Sequence, residues 1–290
     1  MKRTKRFFYT TALIVLLSGC MSHANKKTII KKINFEYGTP HTTFSINGNP
    51  VYVMIDTGST FGFHLQESQL NNIKGLIYKR TYRSTDGAGK YQENIEYTVK
   101  SLNVDGVMIN NITVTPFKKW GLMISGTGDL PESSVAGLGL FENKQIILDY
   151  KNNTFIMTDH ILHDDLIKKG YKEYVYEISS DGILIEVSQS GNKYHLILDT
   201  GASVSMIWKE RLHSLNLTSC LTVNPEMDNE GCEATVLEIT QKNGGSTYFG
   251  AVVVPGDFKH MDKVDGLIGN NLLADKEIFF DLKNKKLYIK

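Results

Sequence analysis

The sequence predicts an all-β protein built from two related halves, and three observations carry that prediction. Apolar and polar residues alternate over short runs punctuated by Gly and Asn, the two-residue period of half-buried strands. Helical spacing is rarely sustained beyond about ten residues. The third observation is an internal repeat, in which two long segments agree in pattern and in order.

The first copy opens with Phe44 to Ile55 and the second with Ile185 to Leu198, each reading as strand, Asn/Gly turn, strand. Each hairpin then delivers a polar loop that starts at an aspartate: Asp56-Thr57-Gly58-Ser59-Thr60 in one half, Asp199-Thr200-Gly201-Ala202-Ser203 in the other. Further on, each half carries an apolar segment with glycine, Val135 to Gly139 and Val264 to Gly269, with Gly137 and Gly266 as the expected equivalents. The halves also end alike, Gln145 to Met157 echoing Glu277 to Ile289 as strand, Lys-Asn turn, strand. Short helices are expected over Leu140 to Gln145, Asn271 to Lys276 and the connector Asp159 to Lys169. The boundaries that follow are 1–19 for an export signal, 20–27 for a tether, 28–158 for the first lobe, 159–171 for the connector and 172–290 for the second lobe.

A chain of 290 residues with 41% apolar content can bury a sizeable core, and 32 basic against 31 acidic side chains leave a net charge of +1. That balance creates no field able to gather nucleic acid, so no such partner is expected. The exception is the N-terminus, where MKRTKR precedes the apolar run Phe7 to Leu17. The run is shorter than the roughly 20 residues that span a bilayer and fits a secretory signal. It ends in Leu17-Ser18-Gly19-Cys20, which resembles the lipobox of bacterial lipoproteins, whose cysteine takes the lipid anchor. By that resemblance Met21 directs the protein to the outer membrane, facing the periplasm, in a cell that has one. The competing readings are an uncleaved anchor helix, or an ordinary signal with a chance cysteine.

Export leaves Cys220 and Cys232 to pair in an oxidising compartment, the alternative being two free thiols. The only histidine pair at a ligand-like spacing, His160 and His163, lies in the polar connector without a plausible third ligand, so both are read as surface residues. No metal or cofactor is expected.

Two copies of Asp-Thr-Gly, each after an apolar strand and each at the same place in its repeat, carry the chemistry. An aspartate that ends a buried strand sits in a largely dry setting, and the glycine two residues on lets another backbone approach. Two such loops face to face bring Asp56 and Asp199 together, and like charges at contact share one proton and titrate as a unit. One carboxyl then serves as base and the other as acid, enough to activate a water and polarise a carbonyl. Thr57 and Thr200 either bond across to the opposite loop or are ordinary turn threonines.

DTGST at 56–60, DTGAS at 199–203 and the glycine segments VAGLG and VDGLIG resemble the pepsin-like and retropepsin-like aspartic peptidases over nearly all the mature chain. The resemblance implies the acid-protease fold: two related β-barrel-like lobes in one chain, a cleft between them, and few short helices. It also implies a monomer with pseudo-symmetric lobes, endopeptidase activity on polypeptides, Asp56 and Asp199 as the catalytic pair, and a β-hairpin flap over the cleft. The candidate flap is Thr81 to Tyr91, a strand, a turn through Asp86, Gly87 and Gly89, and a second strand, with Tyr82 or Tyr91 as its tyrosine. An exposed hairpin without catalytic duty is the other reading. Ser59 is expected to donate its hydroxyl to Asp56, whereas Ala202 offers Asp199 nothing comparable, so Asp56 would hold more of the charge and Asp199 more of the proton. Two other classes of function stand beside the enzyme: a peptide- or ligand-binding lipoprotein of the same fold without turnover, and an envelope interaction module, which leaves the repeated motif unexplained.

Overall fold

The computed structural model describes residues 28–85, 91–119, 132–161, 163–214, 216–223, 231–255, 261 and 263–290. Its first-half strands are β1 (Ile29–Lys32), β2 (Asn34–Glu36), β3 (Thr39–Ile46), β4 (Asn49–Asp56), β5 (Phe63–Leu65), β6 (Leu76–Thr85), β7 (Tyr91–Val104), β8 (Val107–Pro116), β9 (Ser134–Gly137), β10 (Gln145–Asp149) and β11 (Thr154–Thr158). The second half follows with β12 (Lys172–Tyr174), β13 (Glu177–Ser179), β14 (Gly182–Gln189), β15 (Asn192–Leu198), β16 (Met206–Trp208), β17 (Thr218–Ser219), β18 (Glu233–Thr240), β19 (Ser246–Val254), β20 (Gly266–Ile268), β21 (Glu277–Asp281) and β22 (Lys286–Ile289). Three short α-helices, α1 (Glu67–Leu70), α2 (His163–Lys168) and α3 (Asn270–Leu273), and 3-10 turns at Leu138–Leu140, Lys209–Arg211 and Cys220–Thr222 complete the regular structure of the described residues. The mostly β class is as expected. Single helical turns do follow the glycine segments, but they start earlier, at Leu138 and Asn270.

The repeat is visible in the pairing. One sheet runs β2-β3-β4-β9-β5-β8-β7-β6 and the other β13-β14-β15-β20-β16-β19-β18-β17, the same order with each strand replaced by the one eleven places later. Extra pairings, β3 with β7 and β14 with β18, close each sheet into a barrel. The opening hairpins turn at Asn47-Gly48 and Ser190-Gly191, all four with positive φ, which matches the twist of two-residue hairpin loops. Along β4, Val51, Val53 and Ile55 point inward while Tyr52 and Met54 alternate outward; Asp56 continues the outward phase at the strand's end and is buried by the opposite loop around Thr200 and Gly201.

The echoing terminal hairpins meet. β10 pairs antiparallel with β21, Ile147 opposite Phe279, at the centre of a six-stranded sheet ordered β1-β11-β10-β21-β22-β12. Alternate residues of its central strands serve two faces: Ile146, Leu148, Ile278 and Phe280 join the main core, and Ile147 and Phe279 pack under Leu166 of α2 with Tyr171 and Tyr288. The matching turns are fixed the same way, Asp149 Oδ1 accepting from the Asn152 amide at 2.8 Å and Asp281 Oδ1 from the Asn284 amide at 3.0 Å. His163 is not simply a surface residue. It is half-buried, with Nε2 2.9 Å from the buried Asp281 and its ring beside Phe279 and Tyr288.

The parallel pairings that thread each glycine segment beneath its acidic loop give a different equivalence from the sequence reading. Asp56 lies opposite Gly137 in the β4–β9 pair, and Leu198 lies opposite Ile268 in the β15–β20 pair. Asp199 therefore aligns with Gly269. The next residues agree, since the Leu138 amide donates to the Ser59 carbonyl at 2.8 Å and the Asn270 amide to the Ala202 carbonyl at 2.9 Å. The counterpart of Gly137 is Gly269 rather than Gly266, because Gly266 pairs with Leu196, three residues before Asp199, where Ser134 pairs with Val53, three before Asp56.

Candidate active site

The two acidic loops meet where the barrels face each other. Thr57 and Thr200 interlock: each hydroxyl donates to the main chain preceding the opposite aspartate, Thr57 Oγ1 to the Leu198 carbonyl and Thr200 Oγ1 to the Ile55 carbonyl, both at 2.7 Å. Each hydroxyl oxygen also accepts the other threonine's backbone N–H at 3.0 Å. Four reciprocal bonds among fully buried groups hold the loops in one geometry, so these are not ordinary turn threonines. The glycines allow the approach. A Cβ on Gly58 would stand 2.5 Å from the Asp199 carboxyl carbon, and one on Gly201 would stand 2.7 Å from that of Asp56.

The carboxyls of Asp56 and Asp199 hydrogen-bond each other. Burial raises both above the ordinary carboxylate range, and for Asp199 the facing Asp56 charge raises it further, well above that range. Backbone amides oppose this: Gly58 donates to Asp56 Oδ1 and Gly201 to Asp199 Oδ1, both at 2.8 Å. The Asp56 charge drives Asp199 the further up of the two, which favours Asp56 as the ionised partner and Asp199 as the holder of the shared proton.

That asymmetry has the expected direction but not the expected cause. The Ser59 hydroxyl lies 2.7 Å from His64 Nε2, while the Ser59 amide donates to the Asp56 main-chain carbonyl at 3.4 Å, as the Ala202 amide does to that of Asp199 at 3.2 Å. His64 sits on β5, which pairs with β8 and β9 and so aims its ring back at the loop. Burial lowers its pKa to about 4. The sequence reading missed this residue. Its signal was a lone histidine between the inward-facing Phe63 and Leu65, on the opposite side of the strand.

A cavity of about 220 Å³ opens beside the first loop, lined by Gly58, Ser59, Phe61, His64, Tyr82 and Asn94 from the first half and by Ser180, Asp181 and Met261 from the second. Tyr82 stacks on Phe61, with ring centroids 5.5 Å apart and planes 16° apart. It belongs to the expected hairpin: β6 and β7 pair from Leu76–Val99 out to Thr85–Tyr91, with a bulge that lets both Lys79 and Arg80 reach the buried Glu96. Asp86, Gly87 and Gly89 lie outside the described residues, as does the side chain of Tyr91.

In the second half the equivalent hairpin edge is β17–β18, where a Cys220–Cys232 disulfide, with Cα atoms 5.6 Å apart, closes the loop. Ser203 is exposed and lies against Gly38 in the β2–β3 turn. The second loop is buttressed by a buried polar chain. Tyr150 donates to Asn270 Oδ1 at 2.6 Å, and Asn270 Nδ2 donates to the Thr200 carbonyl at 2.7 Å. Cys20 lies outside the described residues.

No protein-family model and no curated protein matches the chain. Solved structures do match in fold. An aspartic proteinase from Irpex lacteus has a TM-score of 0.54 and 12% identity, over 91% of this chain and 97% of its own. Basic 7S globulin from soybean has a TM-score of 0.52 and 10% identity, over 91% and 95%. Conglutin gamma, a basic 7S globulin from lupine seeds, has a TM-score of 0.54 and 7% identity, over 91% and 95%. A protein named a proteinase and proteins named globulins share this architecture, so activity has to be argued from the site. The chain has the pepsin-like aspartic proteinase fold.

Proposed function

We propose that the protein is an aspartic endopeptidase that hydrolyses polypeptides with a water activated between Asp56 and Asp199. The single observation behind this reading is the hydrogen-bonded pair of raised carboxyls, locked by reciprocal threonine bonds beside a cavity lined from both halves. In the reaction, ionised Asp56 takes a proton from water as its oxygen bonds to the scissile carbonyl carbon, and Asp199 gives its proton to the carbonyl oxygen. Collapse of the tetrahedral diol returns one hydroxyl proton to Asp199. The C–N bond breaks as the nitrogen takes the proton held on Asp56, and the pair is left with one proton, ready for the next water.

The chain is further proposed to be exported and held at the cell envelope by lipid on Cys20, acting as a monomer with its lobes at 28–158 and 172–290. The lipobox-like LSGC and the basic, apolar N-terminus support the anchor. Incorporation of labelled palmitate, lost in Cys20→Ser, is the expected result in a bacterial host.

A second reading, a peptide-binding protein that does not cut, draws on the fold likeness to two seed globulins. Incubating the full chain with a mixed peptide library and following it by mass spectrometry separates the two. Internal cleavage at acid pH is expected, whereas retention of intact peptides supports the binding reading.

A further inference from the structure

We propose that His64 is a positioning residue that decides, through Ser59, whether a hydroxyl proton reaches Asp56. The inference deepens the dyad reading and rests on it. Ser59 sits between the two groups: its backbone N–H closes the loop on the Asp56 carbonyl at 3.4 Å, while its hydroxyl lies 2.7 Å from His64 Nε2. A hydroxyl has one proton to give. Given to a neutral imidazole, it is withheld from Asp56. A protonated imidazole donates from both nitrogens, so the bond reverses, Ser59 Oγ becomes the acceptor, and rotation about the Cβ–Oγ bond turns the freed O–H away from the ring towards Asp56.

The setting favours the neutral ring as the resting form. His64 is set into the site by β5 between Thr115 of β8 and Val135 of β9, neither of which is charged, and Phe61 presents its ring edge to the imidazole with centroids 5.3 Å apart. Other titratable groups around the cavity are Lys118 after β8, Tyr82 on β6, Asp181 in the β13–β14 turn, and the aspartate pair itself. Lys118 is tied to the Glu93 carbonyl, and Tyr82 is raised by burial and so uncharged. Burial keeps the imidazole neutral down to about pH 4, so above that pH the ring holds the Ser59 hydroxyl away from Asp56. Ala202 gives the second loop no such device, so it acts on one aspartate only.

The test is a double-mutant cycle on the full chain with His64→Phe, Ser59→Ala and the double variant. It is read as the acid limb of kcat/KM against pH and, without any turnover, as carbon-13 titration of the aspartate carboxyls. His64→Phe keeps a ring but releases the hydroxyl at every pH. The lower apparent pKa of the pair is expected to fall by about one pH unit, a tenfold change in the ionisation constant. With Ser59→Ala as background the same substitution is expected to leave it in place. His64→Asn, too short to reach Ser59, is expected to reproduce the fall and serves if the aromatic variant does not fold. No movement on changing His64, or an equal movement in both backgrounds, overturns the inference. If Asp56→Asn still cleaves peptides, the dyad reading fails instead, and the carboxyl titration continues to decide the role of His64 separately.

Discussion

At the scale of single residues, the two Asp-Thr-Gly glycines carry as much of the site as the acids. Each stands where a methyl group would press into the opposite carboxyl carbon, at 2.5 Å for Gly58 and 2.7 Å for Gly201. Gly201→Ala is therefore expected to push the loops apart, lower stability by about 1–3 kcal/mol and abolish cleavage. Urea denaturation together with a peptide assay checks both, and a cleaving alanine variant would show that the loops have slack. These residues were legible in the sequence because their role depends on a repeated tripeptide. The partner of the Ser59 hydroxyl was not, since it depends on how β5 returns to the loop between two neighbouring strands, and periodicity does not encode that pairing.

At the scale of elements, the threonine interlock joins the two loops. Thr57→Val strips a buried amide and a buried carbonyl of their partners and is expected to cost about 1–3 kcal/mol. Thr200→Val should cost the same, and the double variant less than the sum, because one network is lost rather than two. Chemical denaturation of the three variants measures the shortfall; additive losses would mean that the bonds act independently. The disulfide across the loop after β17 is expected to contribute about 2–3 kcal/mol, so Cys232→Ser should lower the unfolding free energy by that much while the distant dyad still works. The hairpins, their turns and the β17–β18 counterpart of the flap edge were legible because two-residue periodicity and Gly/Asn turns are local signals. The glycine equivalence was not: Gly137 and Gly266 match in local sequence, while the register of a parallel pair with a distant strand selects Gly269.

For the whole molecule, the buried pair opposes folding stability at neutral pH. Carboxyls raised above their unfolded values stabilise the fold below the unfolded carboxyl range, near pH 4, and that contribution is lost as pH rises through the folded values. Asp199→Asn removes the repulsion, so its melting temperature should exceed the wild-type value at pH 7, with the gap closing towards pH 4. Thermal melts across that range measure it, and a variant less stable than wild type at pH 7 would contradict the raised pair. The fold places that strained pair between two barrels tied by a shared six-stranded sheet, which holds the barrels together around a site that resists being held. The most direct test of the central claim is kcat/KM for one cleaved peptide, measured on the full wild-type chain, Asp56→Asn and Asp199→Asn. The account predicts a loss of about three orders of magnitude or more in either folded variant. Wild-type rates in either one, or a wild-type chain that binds the peptide and leaves it intact, would contradict it.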